Sequence, residues 1–215
     1  MGSIYHSAVY DLCIFDLDGT LIDSVGDIAD ALNRTLGTTH PDNVVAGWVG
    51  SGVRVLLERA GVPAADVDDA AARFRVHYAE QPCKHTRPYL RVRETLRAIG
   101  CDKAVATNKP GDLSRAIVNK LGLSDEFIAV LGEDDVGARK PDPLIVDILR
   151  GKVGAGRAQT LYVGDSLVDA ETARAAGVDL CLVTYGYASP DAIRAAPAQH
   201  HIDRFDELIP ILAPK

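Results

Sequence analysis

Hydrophobic positions along the chain fall into two alternating rhythms. Leu12-Cys13-Ile14-Phe15 is a short apolar run ending in acidic and glycine residues, which reads as a buried strand entering a loop. Comparable runs at 103–107, 128–131, 160–163 and 180–184 predict four more strands. Between them, apolar residues repeat at helical spacing. Leu113, Ala116, Ile117 and Leu121 form one such stripe, closed by Gly122. Leu144, Ile145, Ile148 and Leu149 form a second, with Asp142 as N-cap and Pro143 as the first helical residue. A third helix covers 171–176 and stops at Gly177. Past Pro190 the pattern predicts one short strand near Ile202 and a last helix through Leu212. Strands alternating with helices predict an α/β fold built on an open, mostly parallel sheet.

One stretch departs from this rhythm. Residues 23–88 carry helix patterns and no strand. Val25, Ile28, Ala29, Leu32 and Leu36 line one face behind a Ser24 cap. Val53, Leu56, Leu57 and Ala60 make a second stripe, and Val67, Ala70, Ala71, Phe74 and Tyr78 a third. The segment from Pro82 to Pro88 reads as a linker back. Three helices without a strand seldom fit one sheet crossover, so 23–88 is expected as a helical insert after the first strand, the alternative being extra helices on one α/β domain. Residues 1–22 and 89–215 then form the α/β core.

Composition narrows the function classes. The chain has 215 residues, 47% hydrophobic and 25% charged, enough for a sizeable core. Its net charge of −7 argues against nucleic acid, which needs a basic face. The four cysteines, at 13, 83, 101 and 181, form no CxxC pair and suit a reducing compartment, hence the cytoplasm. The opening MGSIYHSAVYDL lacks a basic segment followed by an apolar one, and His6 stands where a myristoylation motif needs Ser or Thr. No apolar run spans a bilayer. This balance permits a soluble enzyme, expected as a monomer or homodimer, without pointing to any reaction.

Two acidic clusters follow predicted strands. Asp16 and Asp18 are two apart in an extended segment, so both carboxylates can face one point beyond the strand's carboxyl end. Such a pair repels itself unless a cation or proton intervenes, and a hard cation such as Mg²⁺ takes oxygen ligands of this kind. The plain alternative is an acidic turn around Gly19. In Gly164-Asp165-Ser166-Leu167-Val168-Asp169, the acids are four apart and share a helical face. Here the alternative is an N-cap at Asp165 and a solvated Asp169. Thr107-Asn108-Lys109 offers a hydroxyl and an amide at the same edge, and Lys140 precedes a capped helix where its ammonium can reach phosphate oxygens. A glycine turn, Gly50-Ser51-Gly52, opens a helix carrying Arg54, a pairing that suits an anion. Gly154-Ala155-Gly156 lacks the third glycine of a dinucleotide fingerprint. His200-His201 lacks spaced partners and reads as surface.

Taken in order, Asp16-Leu17-Asp18-Gly19-Thr20-Leu21, Thr107-Asn108-Lys109-Pro110, Lys140-Pro141 and Gly164-Asp165-Ser166 with Asp169 resemble the four motifs of the haloacid dehalogenase superfamily. The resemblance spans nearly the whole chain and implies a Rossmann-like core with a helical cap. Trp48-Val49-Gly50-Ser51-Gly52, Gly132-Glu133-Asp134-Asp135-Val136 and Thr184-Tyr185-Gly186-Tyr187 are most similar to bacterial phosphoglycolate phosphatases. The resemblance implies that Asp16 is the nucleophile of an aspartyl-phosphate mechanism and Asp18 the general acid/base. It implies that Thr107, Asn108 and Lys140 bind phosphate. Asp16, the Asp18 carbonyl and Asp165 would hold Mg²⁺, with Asp169 either a supporting ligand or an acid that backs the ligands. In that setting Gly50, Ser51, Gly52 and Arg54 are expected to read the substrate's carboxylate.

Asp18, two residues after Asp16, marks the phosphotransferase rather than the dehalogenase branch. The phosphonatase branch needs a cap lysine, and the insert has only Lys84, near its end. Other phosphatases, a pyrophosphatase and a sugar phosphomutase share the same core. A phospho-aspartate receiver domain is disfavoured by the helical insert and by Asp16 on the first strand.

Overall fold

The computed structural model describes residues 10–213. The expectations for the N-terminal dodecapeptide and His6 fall on residues 1–9 for the most part, outside the described residues. Among the described residues, eight strands and eleven α-helices follow in the order β1 (Leu12–Phe15), β2 (Ile22–Asp23), α1 (Val25–Leu36), α2 (Asp42–Ala46), α3 (Val53–Arg59), α4 (Val67–Glu80), β3 (Arg87–Pro88), α5 (Val92–Ala98), β4 (Asp102–Ala106), α6 (Gly111–Lys120) and β5 (Ala129–Leu131). The chain continues through α7 (Glu133–Val136), α8 (Leu144–Val153), β6 (Thr160–Gly164), α9 (Leu167–Ala176), β7 (Asp179–Val183), α10 (Pro190–Ala195), β8 (His200–Ile202) and α11 (Leu208–Leu212). Six strands form one sheet in the order β5-β4-β1-β6-β7-β8, and every pairing in it is parallel.

The apolar runs become strands because helices cover both faces of the sheet. Side chains alternate strictly: Cys13, Phe15, Val105, Leu161 and Val163 enter one buried cluster. Leu12, Ile14, Ala104, Ala106 and Tyr162 enter the other. The first cluster continues into the insert through Ile28, Leu32, Leu57, Phe74 and Tyr78. Leu32 and Leu57 are fully buried, and each such side chain stabilises by about 2 kcal/mol.

The insert leaves and rejoins the core through a feature absent from the hydropathy pattern. β2 and β3, two residues each, pair antiparallel with Ile22 opposite Pro88 and Asp23 opposite Arg87. Two residues are too few to display alternation, so the pair was legible only in three dimensions. Asp27 on α1 secures the returning chain: it accepts from the backbone N–H groups of His85 and Thr86 and from the Thr86 hydroxyl. Ser24 precedes α1 as expected but makes no capping hydrogen bond. Asp142 lies one position earlier than expected relative to α8. Pro143 occupies the N-cap position, and Asp142 accepts from the N–H of Leu144 at 2.9 Å. Among the described residues, no helix is long and apolar enough to cross a membrane.

Candidate active site

The site is assembled where the strand order reverses. β1 is flanked by β4 on one side and β6 on the other, leaving a crevice beyond their carboxyl ends. Phe15 lies level with both Val105 and Val163, so Asp16, Thr107 and Asp165 emerge close to one level. The Asp16 N–H donates to Val163 O at 2.9 Å, which continues the sheet's register into the loop.

Three buried carboxylates converge there around one ammonium. Lys140 Nζ donates to Asp16 Oδ1 at 2.7 Å and Asp169 Oδ1 at 2.8 Å, with Tyr162 Oη at 3.1 Å. Asp169 Oδ2 accepts from the Ser166 hydroxyl at 2.6 Å and from the N–H groups of Asp165 and Ser166. Asp165 accepts from the Tyr187 N–H at 2.8 Å and, weakly, from Thr20 Oγ1 at 3.3 Å. Oxygens of Asp16, Asp165 and Asp169 all lie within 4.8 Å of one another. A side chain on Gly19, at φ +89°, or on Gly186 would overlap Asp165, so both positions must be bare.

Charge in this cluster is under-compensated. Burial pushes the Asp16 carboxyl up to about 7; Lys140 opposes this and Asp169 adds to it. Burial, then repulsion from Asp169 and Asp16, holds Asp165 well above the usual carboxylate range. Burial works against the Lys140 ammonium, yet the facing Asp16 and Asp169 charges hold its pKa well above normal. One ammonium among three carboxylates leaves net negative charge for a further cation to offset. The plain reading of the second cluster is also corrected. Ser166, not Asp165, is the N-cap of α9, and Asp169 is fully buried within a capping box instead of solvated.

Asp18 faces other partners. It accepts from Ser24 Oγ at 2.5 Å and from Lys109 Nζ at 2.7 and 2.9 Å. Lys109 Nζ also lies 4.7 Å from the ring centre of Tyr78 on α4. Lys109 is 8% exposed, and the nearby Asp18 and Tyr78 offset the burial that disfavours its charge. Local sequence assigns Lys109 no role, because its destination depends on the α4 face opposite. Tyr78 read as core for the same reason.

The remaining expected residues separate into two groups. Asp16, Asp18, Thr107, Asn108, Gly50 and Gly52 line one cavity of about 60 Å³ between the sheet edge and the insert. Thr107 is buried, and its Oγ1 accepts from the Lys109 N–H at 3.2 Å. Asn108 is engaged through its side chain: Nδ2 donates to Gly50 O and Lys140 O, and Oδ1 accepts from the Lys140 N–H. Its amide therefore ties the insert to the Lys140 loop. Ser51 is not a cavity wall residue, and its carbonyl accepts from Arg139. Arg54, expected at the cavity, is turned away from it and pairs with Asp68 on a half-exposed face.

A family model described as haloacid dehalogenase-like hydrolase matches residues 13–183. The chain belongs to this family. The hydrolase is similar to the phosphoglycolate phosphatase of Pectobacterium atrosepticum, with 36% identity over 211 residues that cover 92% of this chain and 90% of that one. The phosphoglycolate phosphatase of Rhodospirillum rubrum is 40% identical over 191 residues, 81% of this chain and 79% of that one. Among solved structures, a predicted phosphoglycolate phosphatase from Haemophilus somnus superposes with a TM-score of 0.87 at 32% identity, covering 95% of this chain and 98% of that chain. The hydrolase is a phosphatase with the haloacid dehalogenase-like α/β fold. Its insert lysine, Lys84, pairs with Asp30 on the exposed side and is not a cavity wall residue, as the phosphonatase chemistry would require. His201 Nε2 is occupied by the carbonyls of Ile193 and Ala196.

Proposed function

We propose that this phosphatase is a Mg²⁺-dependent phosphomonoester hydrolase converting 2-phosphoglycolate to glycolate and inorganic phosphate. The observation that carries the hydrolytic reading is the buried cluster of Asp16, Asp165 and Asp169 beside Lys140, with Asp16 and Asp18 both lining the cavity under the insert. The substrate reading draws on the named activity of the relatives. A small phosphorylated metabolite as partner and a cytoplasmic setting agree with the charge balance and sparse cysteines. The two domains are the helical cap, 23–88, and the core made by 1–22 and 89–215.

Asp16 Oδ2 attacks phosphorus while the bond to the ester oxygen breaks, leaving phosphate on the carboxylate. The departing glycolate oxygen takes a proton from Asp18. Asp18, now ionised, takes a proton from water, whose oxygen attacks phosphorus and releases Asp16 and phosphate. Lys140 stays against Asp16 and offsets the charge gathering on the phosphoryl oxygens. Thr107 Oγ1 and the main chain at Asn108 orient the phosphate. Asp16, Asp165, Asp169 and the Asp18 carbonyl form an all-oxygen set fit for Mg²⁺, which when bound neutralises the phosphoryl group. Asp18 accepts from both Ser24 and Lys109 in this structure, so it must take up a proton and give up at least one of these bonds before it can serve the leaving oxygen. Asp18→Asn is expected to lower kcat by about 10²- to 10⁴-fold with little change in fold, measured by steady-state phosphate release.

The deciding experiment is phosphate release from a panel headed by 2-phosphoglycolate, with Mg²⁺ and with chelator. Mg²⁺-dependent turnover favouring phosphoglycolate is expected; turnover of other esters alone would discard the substrate and keep the chemistry. The same samples carry a pH test. Burial pushes the Asp16 carboxyl up to about 7, well above its ordinary value, so at pH between the two the metal-free fold holds more protons than the unfolded chain. Stability from this group is present at acid pH and lost as pH rises through about 7. Mg²⁺ replaces those protons, so it should raise Tm more at about pH 8 than at about pH 5. At 100-fold excess over Kd the gain is about 2.7 kcal/mol, or roughly 5–10 °C. Equal Mg²⁺ effects at both pH values would count against the cluster as the metal site.

A further inference from the structure

The insert supplies the cavity with polar groups that the hydrolytic chemistry leaves unused. Four of its cations are neutralised away from the cavity: Arg34 by Glu80, Arg54 by Asp68, Arg73 by Asp69 and Lys84 by Asp30. Arg75 on α4 lines the cavity and, among the described residues, forms no ion pair. Glu133 feels the charges of Arg139 and Arg75 but makes no ion pair with either. Three residues further along α4, on the same face, Tyr78 also lines the cavity. Tyr78 is only 2% exposed, and among the described residues its buried Oη makes no well-formed hydrogen bond, although the Lys109 ammonium lies close enough to act on it. A buried hydroxyl without a well-formed hydrogen bond is disfavoured unless a ligand satisfies it. Lys109 Nζ sits against the same ring, and apolar side chains such as Ile28, Val53 and Leu56 complete the wall.

We propose that Tyr78 Oη, the Arg75 guanidinium and Lys109 Nζ form a subsite for a carboxylate on the substrate's leaving group. The site thereby selects short phosphate esters that carry a second anion. This inference rests on the reading that phosphomonoesters are cleaved at Asp16. A carboxylate there accepts from the Tyr78 hydroxyl and gives Arg75 a counter-ion. It also competes with Asp18 for Lys109, which frees Asp18 to turn towards the leaving oxygen. An ester ending in a methyl group leaves Tyr78 unpaired and Lys109 on Asp18, so discrimination should appear in kcat as well as KM.

The test compares kcat and KM for 2-phosphoglycolate and ethyl phosphate, which differ by carboxylate against methyl. The wild-type protein, Tyr78→Phe, Arg75→Met and Arg54→Met are measured in Mg²⁺. The preference for phosphoglycolate, as a ratio of kcat/KM values, should fall about 10- to 100-fold in Tyr78→Phe and in Arg75→Met. It should change by less than about twofold in Arg54→Met, whose guanidinium lies on a half-exposed face. Tyr78→Phe removes a hydroxyl that makes no well-formed hydrogen bond, so its Tm should equal or exceed that of the wild type. A merely structural role would lower Tm and leave the ratio alone. Wild-type preference retained by both cavity variants would overturn the subsite and leave the hydrolase reading standing. Equal wild-type turnover of the two esters would overturn the phosphoglycolate reading and the subsite together, and no turnover of either would overturn the chemistry beneath both.

Discussion

Asp16→Asn is expected to lower phosphate release by about 10⁴-fold or more while the protein keeps its fold. Asparagine cannot form the acyl phosphate, so both chemical steps are lost together. Its carbonyl oxygen still accepts from Lys140 Nζ, which sits 2.7 Å from Asp16 Oδ1. Substitution also removes one of three mutually repelling buried carboxylates, two at strand ends and Asp169 in the first turn of α9. Tm of the metal-free variant should therefore match or exceed that of the wild type near neutral pH, where ionised Asp16 is costly to the fold. Mg²⁺ should stabilise the variant less than the wild type. Calorimetry with and without Mg²⁺, beside single-turnover phosphate release, checks all three outcomes. Turnover within tenfold of wild type would remove Asp16 as the nucleophile.

Lys140→Met should harm both stability and turnover. The ammonium is almost fully buried and bridges Asp16 and Asp169 at 2.7 and 2.8 Å. Removing it leaves the carboxylates facing one another without their shared cation. Breaking a buried pair in this way costs about 3–5 kcal/mol, or roughly 6–20 °C in Tm for a chain of this size. The lost charge on the phosphoryl group should lower kcat/KM by about 10²- to 10³-fold. A second change separates the two effects. Adding Asp169→Asn to Lys140→Met removes one uncompensated charge, so part of the stability should return while activity stays low. Thermal melts and phosphate release on the single and double variants measure this. A Lys140→Met protein as stable as wild type would show that the cluster does not depend on the ammonium.

Much of the fold was legible in the sequence because burial on both faces of a parallel sheet writes continuous apolar runs. Leu12-Cys13-Ile14-Phe15 and its counterparts are such runs, and Gly122 and Gly177 punctuate the helices between them. The two-residue strands β2 and β3 left no trace, being shorter than any repeat. Asp16, Asp18 and Asp165 stood out because each follows an apolar run, whereas Lys140 was marked only by the capped helix after it and Asp169 by its spacing from Asp165. Arg54 was misplaced because a glycine turn before an arginine says nothing about which way the side chain turns, and Asp68 on the neighbouring helix draws it outward.

The sequence by itself determined the strand and helix alternation, the run of helices between the first and second long strands and the residues available at each strand end. These follow from local hydropathy and spacing, which one stretch of chain carries alone. Tertiary structure decided that Lys140 serves two carboxylates, that Lys109 holds Asp18, and that Arg75 and Tyr78 face the cavity. Each of those pairings joins residues far apart in the chain, except for the short step along α4. Their energetics depend on burial between the insert and the sheet edge, a property that neither segment possesses before the two are packed together.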